Sequence, residues 1–202
     1  MEQKVQLHKD GKLVNPTTFK SMVGGLRYLV HTRPDISYSV GVVSRFMEKP
    51  TTLHLNAAKR ILRYVKGILN YGLIYKKGQG DYLLAGYSDS DLAGNIDNRR
   101  STGGMTFYLD ESLITWVSHK QRCVVLSSCE AEFMAATATT YQGIWLQKVL
   151  NYIFEVKVGP GTIVVKHVKS IEQKADILTK VLRTIKFENM RKLLGVRNLQ
   201  DV

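Results

Sequence analysis

Tyr82-Leu83-Leu84-Ala85-Gly86-Tyr87-Ser88-Asp89-Ser90-Asp91, then Met105-Thr106-Phe107-Tyr108-Leu109 and Leu113-Ile114-Thr115-Trp116-Val117, decide the fold class. Each run is short and apolar-rich, and Gly and Asp separate them, so they read as strands of a meander. Asp110-Glu111-Ser112 supplies the turn between the last two runs, and Gly78-Gln79-Gly80 another ahead of the first. Leu73-Ile74-Tyr75 reads as a further short strand. Toward the C-terminus a long helical stretch runs over residues 128–153 and stops before Gly159-Pro160-Gly161. A β-branched strand over 162–168 and a last helical region over 172–194 follow. Toward the N-terminus the period is helical over 16–70, with Pro34 opening a helix and Pro50 marking a stop. Residues 1–15 read as a loose polar entry. Helices followed by β-β-β-α-β-α predict an α/β protein with a mixed sheet.

The chain has 202 residues, enough for one ordinary domain with a helical appendage or for two small domains. With 44% apolar and 23% charged residues it has a globular composition. No run reaches the length of a membrane span, and the first ten residues hold no apolar signal region, so the expected location is cytoplasm or nucleus. Cys123 and Cys129 suit reduced thiols better than a disulfide framework or a zinc site. Twenty-nine Lys and Arg against seventeen Asp and Glu give a net charge of +12, which attracts polyanions such as nucleic acid. Over residues 52–69, Ala58, Ile61, Leu62, Val65, Ile68 and Leu69 share one helix face. Lys59, Arg60, Arg63 and Lys66 share the opposite face, which is either a solvated surface or a phosphate-binding stripe.

Three carboxylates stand where this topology could bring them together: Asp89 on the first long strand, Glu132 in the first turn of the long helix, and Asp176 at the start of the last one. Such hard oxygen donors suit Mg2+, and a pair of ions can activate water against a phosphodiester. From spacing alone the plainer readings prevail: a turn residue for Asp89, and helix-start residues for Glu132 and Asp176. His167, in an apolar run, likewise reads as structural on spacing alone.

Residue pattern decides the matter. Tyr87-Ser88-Asp89-Ser90-Asp91-Leu92-Ala93-Gly94, Arg100-Ser101-Thr102-Gly103-Gly104 and Ser118-His119-Lys120-Gln121 resemble the ribonuclease H domain of copia-type (Ty1-like) retrotransposon Pol polyproteins. So do Leu126-Ser127-Ser128-Cys129-Glu130-Ala131-Glu132-Phe133-Met134-Ala135 and Ala175-Asp176-Ile177-Leu178-Thr179-Lys180. Gly24-Gly25-Leu26-Arg27-Tyr28-Leu29, Thr32-Arg33-Pro34-Asp35-Ile36 and Ala57-Ala58-Lys59-Arg60-Ile61-Leu62-Arg63-Tyr64 resemble the connection segment that follows the reverse transcriptase in the same polyproteins. The resemblance implies a loose N-terminal segment 1–15, a helical connection segment 16–76, a truncated ribonuclease H-like domain 77–196 and a tail 197–202. It implies a mixed sheet flanked by helices, RNA–DNA hybrid as substrate and two Mg2+ ions. Asp89, Glu132 and Asp176 match the family's metal-binding carboxylates, and His167 resembles a mobile histidine that assists product departure.

The chain also departs from the family. Members carry a further strand after the long helix, ending in an Asp that ligates both ions. Here Asn151-Tyr152-Ile153-Phe154-Glu155 leads within a few residues to Thr162-Ile163-Val164-Val165, and that strand is missing. The simplest repair places residues 162–168 in the vacant slot, which would bring Lys166, His167 and Lys169 where the Asp belongs. Cations there repel Mg2+, so the resemblance implies a weak or inactive hybrid ribonuclease. The competing expectations are a non-catalytic basic nucleic-acid-binding remnant and a protein-interaction or effector-like factor.

Overall fold

The computed structural model describes residues 7–8, 11–77, 82–95, 97–155 and 163–201. The Gly78-Gln79-Gly80 turn and the Gly159-Pro160-Gly161 breaker lie outside them. Helix α1 (Pro16–Val30) starts where the Asn15 side chain accepts hydrogen bonds from the Thr17 and Thr18 amides, with Pro16 in the first turn. A 3-10 turn, Pro34–Ile36, leads into α2 (Ser37–Val43); a second, Ser44–Phe46, precedes α3 (Thr52–Gly67). Phe19, Val23 and Leu26 of α1 pack with Val40 and Val43 of α2 and with Ala58 and Ile61 of α3. The apolar face expected over 52–69 is narrower than its pattern. Leu62 and Leu69 are exposed, because α1 and α2 cover the stripe from Leu55 through Ala58 and Ile61 to Val65 and the helix stops at Gly67. Lys59, Arg60, Arg63 and Lys66 are all exposed. Residues 12–14 are tied down, since the Val14 amide donates to Pro50 O and the Thr52 amide to Lys12 O.

The meander forms as read. Strands β2 (Leu84–Ser90), β3 (Thr102–Leu109) and β4 (Ser112–Lys120) pair antiparallel in the order β2-β3-β4. Alternation along β3 divides the core. Met105 and Phe107 meet Leu146 of α4 (Ser128–Phe154), whereas Tyr108 meets Ile177, Leu178, Met190 and Leu194 on the other side. The Ser127 side chain caps α4 by accepting from the Glu130 amide, and Glu155 ends it in the left-handed conformation at φ 53°.

Several expectations are corrected. Residues 163–168 form no strand and are mostly exposed, and Thr162 lies outside the described residues. The slot beside β2 is therefore not filled by this segment, and the described sheets are antiparallel, not mixed. A parallel strand buried on both faces needs a continuous apolar run, and Lys166, His167 and Lys169 end this one after three residues. The early strand is β1 (Tyr71–Leu73), and it pairs with β5 (Val196–Asn198) near the C-terminus, outside the meander. A 3-10 turn, Leu199–Asp201, continues the tail. The expected last helix is split into a 3-10 turn, Lys174–Leu178, and α5 (Thr184–Leu193). The turn ends at Thr179, whose amide donates to Asp176 O at 3.3 Å and whose hydroxyl proton is taken by Asp89.

The helical front docks against the rest of the chain. Trp116 Nε1 on β4 donates to Val30 O at 3.1 Å, and Arg191 Nη1 on α5 donates to the Tyr64 hydroxyl at 3.2 Å. Among the described residues no helix is long and apolar enough to cross a membrane. Cys123 and Cys129 are free and exposed.

Candidate functional site

Asp89 lies near the end of β2, and the β2–β3 register sets it opposite Gly104. With no side chain at Gly104, the Lys174–Leu178 turn comes down onto β3, within contact distance of where a Cβ would be. That approach carries Asp176, 3% exposed, to Asp89. The Thr179 hydroxyl donates to Asp89 Oδ2, and Gln173 Nε2 donates to Ser88 O at 3.0 Å, which pins the turn to β2. Lys180 joins the two carboxylates: its ammonium lies 3.4 Å from Asp89 Oδ2 and in direct contact with Asp176 Oδ1. Lys186 on α5 takes the other Asp176 oxygen.

The two acids are driven apart in acidity. Burial pushes Asp89 up, and the neighbouring Asp176 charge adds to this, against the opposing pull of Thr179 and Lys180. Burial acts the same way on Asp176, but its ion pairs with Lys180 and Lys186 outweigh it and hold that carboxyl below its ordinary value. Burial alone would lower Lys180; Asp176 and Asp89 reverse this and raise it. Asp176 therefore stabilises the fold above the unfolded carboxylate range, and this contribution disappears as pH falls through its depressed folded value. Asp176→Asn should cost about 1–2 kcal/mol near pH 7, discounted because both lysines are well exposed. Thermal melts should show a drop of about 3–8 °C near pH 7 and a smaller one at pH values below the ordinary carboxylate range. An equal drop at both would rule out the ion pairs as its source.

Glu132 and His167 stand outside this network. Glu132 is exposed on α4 and forms no ion pair among the described residues, while Ala131 and Ala135 turn toward the sheet. His167 is exposed in the irregular segment after Ile163. Gln121, 4% exposed, ties the site together: its Nε2 donates to Ser90 Oγ at 3.1 Å and to Ala131 O at 2.9 Å, linking the ends of β2, β4 and α4. Among the described residues no three His, Cys, Asp or Glu side chains are grouped to hold a metal ion. The donor set does not fit a pair of Mg2+ ions, because two carboxylates share one lysine and the third donor is elsewhere. Lys180 was not singled out from the sequence. Its signal was the four-residue spacing from Asp176.

No family model matches the chain, and no solved structure matches it. Curated relatives do. The retrovirus-related Pol polyprotein from transposon RE1 of Arabidopsis thaliana is 37% identical over 232 residues, covering 96% of this chain and 16% of that protein. The Pol polyprotein from transposon TNT 1-94 of Nicotiana tabacum is 36% identical, covering 89% of this chain and 16% of that protein. The secreted RxLR effector protein 161 of Plasmopara viticola is 45% identical over 129 residues, 63% of this chain and 90% of that protein. The chain thus spans about a sixth of the polyproteins it matches. An aligned stretch of 232 residues exceeds the chain's own 202, so the polyprotein carries residues that have no counterpart here. The chain belongs to the Pol polyproteins of copia-type retrotransposons, of which it is a fragment.

Proposed function

We propose that this chain is a ribonuclease H-like remnant that binds nucleic acid and does not cleave it at a useful rate. The observation that carries this reading is the lysine between the carboxylates. Lys180 bridges Asp89 and Asp176, and Lys186 pairs with Asp176 as well, so these two acids have their partners within the chain. Mg2+ would be the cofactor by ancestry, with Asp89, Glu132 and Asp176 as its donors, but an ion would have to displace a fixed ammonium. The Asp that members place on a further strand is missing from the sequence as well. The net charge of +12 and the exposed Lys59, Arg60, Arg63 and Lys66 support attraction to the phosphates of an RNA–DNA hybrid.

The test is a labelled RNA–DNA hybrid incubated with the full chain and Mg2+ or Mn2+. Cleavage should stay near background, while binding at low salt should weaken by about 1,000-fold or more between 50 and 200 mM salt if at least six phosphates are contacted. Robust cleavage that Asp89→Asn abolishes would overturn the reading. A second reading, a protein-interaction or effector-like factor, draws on the likeness to the RxLR effector protein and on Phe133, Tyr141, Trp145 and Tyr152, all exposed along α4. Partner capture that ignores salt, with no nucleic-acid binding, would favour it.

A further inference from the structure

A cavity of about 980 Å³ opens between the helical front and the C-terminal end of β2. Arg45, Arg60, Arg63 and Lys180 line it, with Asp91 as the one acid. Asp91 is anchored, accepting a hydrogen bond from the Thr102 amide, and Arg45 is fixed through Nη2, which donates to Thr102 Oγ1 at 3.2 Å. Lys180 already serves Asp89 and Asp176, whereas Arg60 and Arg63 are exposed with no ion pair among the described residues. Val42, Phe46, Leu53 and Ile61 form an apolar wall behind these cations. The volume lies at the upper end of the range of about 300–1,000 Å³ that ligand sites occupy.

Cations at the mouth and an apolar wall behind match a ligand with a phosphate and a flat, weakly polar body. Arginine forks suit phosphate oxygens, and an apolar surface suits a base taken out of its stack. A base inside a duplex has both faces stacked and its edge paired, so it offers such a wall no free face. From this we infer that the cavity is a nucleotide site for single-stranded nucleic acid, with Arg45, Arg60 and Arg63 on the phosphates and a base against the Val42–Ile61 wall. The site rests on the nucleic-acid-binding reading above and adds its location and strand preference.

The test follows the anisotropy of a labelled ten-nucleotide thymidine strand over a salt series, with the full chain. Arg60→Ala with Arg63→Ala should weaken binding tenfold or more at low salt and flatten the salt slope by about 1.4 for two lost single-strand contacts. Asn56→Trp, at an exposed lining position, should block the cavity and weaken strand binding tenfold without removing charge. Lys20→Ala with Arg27→Ala, on exposed positions of α1 that do not line the cavity, should leave binding within twofold. Thymidine monophosphate should compete, and inorganic phosphate at equal concentration should not; equal competition by both would overturn the role of the apolar wall. Binding that survives Asn56→Trp and falls equally in both double variants would overturn the cavity while nucleic-acid binding stands. No strand binding by the wild-type chain, with hybrid binding retained, would also overturn the cavity alone. Loss of both would overturn the reading on which it rests.

Discussion

Asp35→Ala should remove a large share of the protein's folding stability. Arg33 and Asp35 pair at the start of the second helical segment with side chains only 7% and 0% exposed. The contact is a fork: Nε lies 3.0 Å from Oδ1 and Nη2 lies 2.7 Å from Oδ2. The Tyr64 hydroxyl donates to the same carboxylate at 2.7 Å and accepts from Arg191 of α5 at 3.2 Å, so the network joins the helical front to the C-terminal helix. Burial pushes the Tyr64 phenol well above its ordinary value, and the Asp35 charge adds to it, so this hydroxyl stays a donor. Alanine at 35 strands a buried guanidinium. The expected cost is about 3–5 kcal/mol, against a total stability of about 5–15 kcal/mol for a domain. Arg33→Met with Asp35→Leu should recover much of the loss, because an apolar pair of similar volume leaves no orphaned charge. Denaturant midpoints measure both. A loss below about 1 kcal/mol for Asp35→Ala would mean that water reaches the pair.

The parts of the fold that were legible are those set by local pattern. The meander over β2–β4 and the α4 boundaries follow from alternation, turn residues and a Ser cap, all within a few residues of one another. Parts set by what packs on what were not legible. Thr162 to Val168 has strand propensity, but propensity cannot supply a partner, and lysines interrupt the run. The 3-10 turn around Asp176 depends on Thr179 bonding Asp176 O and Asp89, a contact made ninety positions away in sequence. The bare face of α4, with Tyr152 87% and Trp145 56% exposed, reads as an apolar helix in any composition count. Only the packing shows that one side has no cover among the described residues. β2 likewise has β3 as its one described strand neighbour, so its other edge has no strand partner among the described residues. For the site, motif resemblance singled out Asp89 and Asp176, which the structure joins through Lys180. It could not show that Lys180 would stand between them, since an ion-pair partner is chosen by geometry and not by motif.

Gly104→Val should separate those two carboxylates more thoroughly than any change to the acids themselves. A Cβ at 104 would lie 2.8 Å from both Leu178 Cβ and Thr179 Cγ2 and 3.1 Å from Ala175 O. The obstructing atoms are close to or part of the backbone of the turn, so no side-chain rotation relieves the clash and the turn must move outward. Overpacking of this kind costs about 1–3 kcal/mol, and the displaced turn takes Thr179, Asp176 and Lys180 with it. Asp89 then loses the hydroxyl and the ammonium that counter the effect of its burial. If it stays buried, its carboxyl should titrate still higher than in the wild type, while Asp176, which moves with Lys180, should stay below its ordinary value. Gly103→Ala is the control, because there the nearest atoms are His119 Cε1 at 3.5 Å and Ala135 Cβ at 3.7 Å, an ordinary contact distance. Carbon-13 titration of the aspartate carboxyls, with a thermal melt of each variant, reads both effects. A Gly104→Val protein with wild-type melting and an unmoved Asp89 titration would show that the turn is not held against β3 by this glycine, and that the Asp89–Asp176 proximity has another cause.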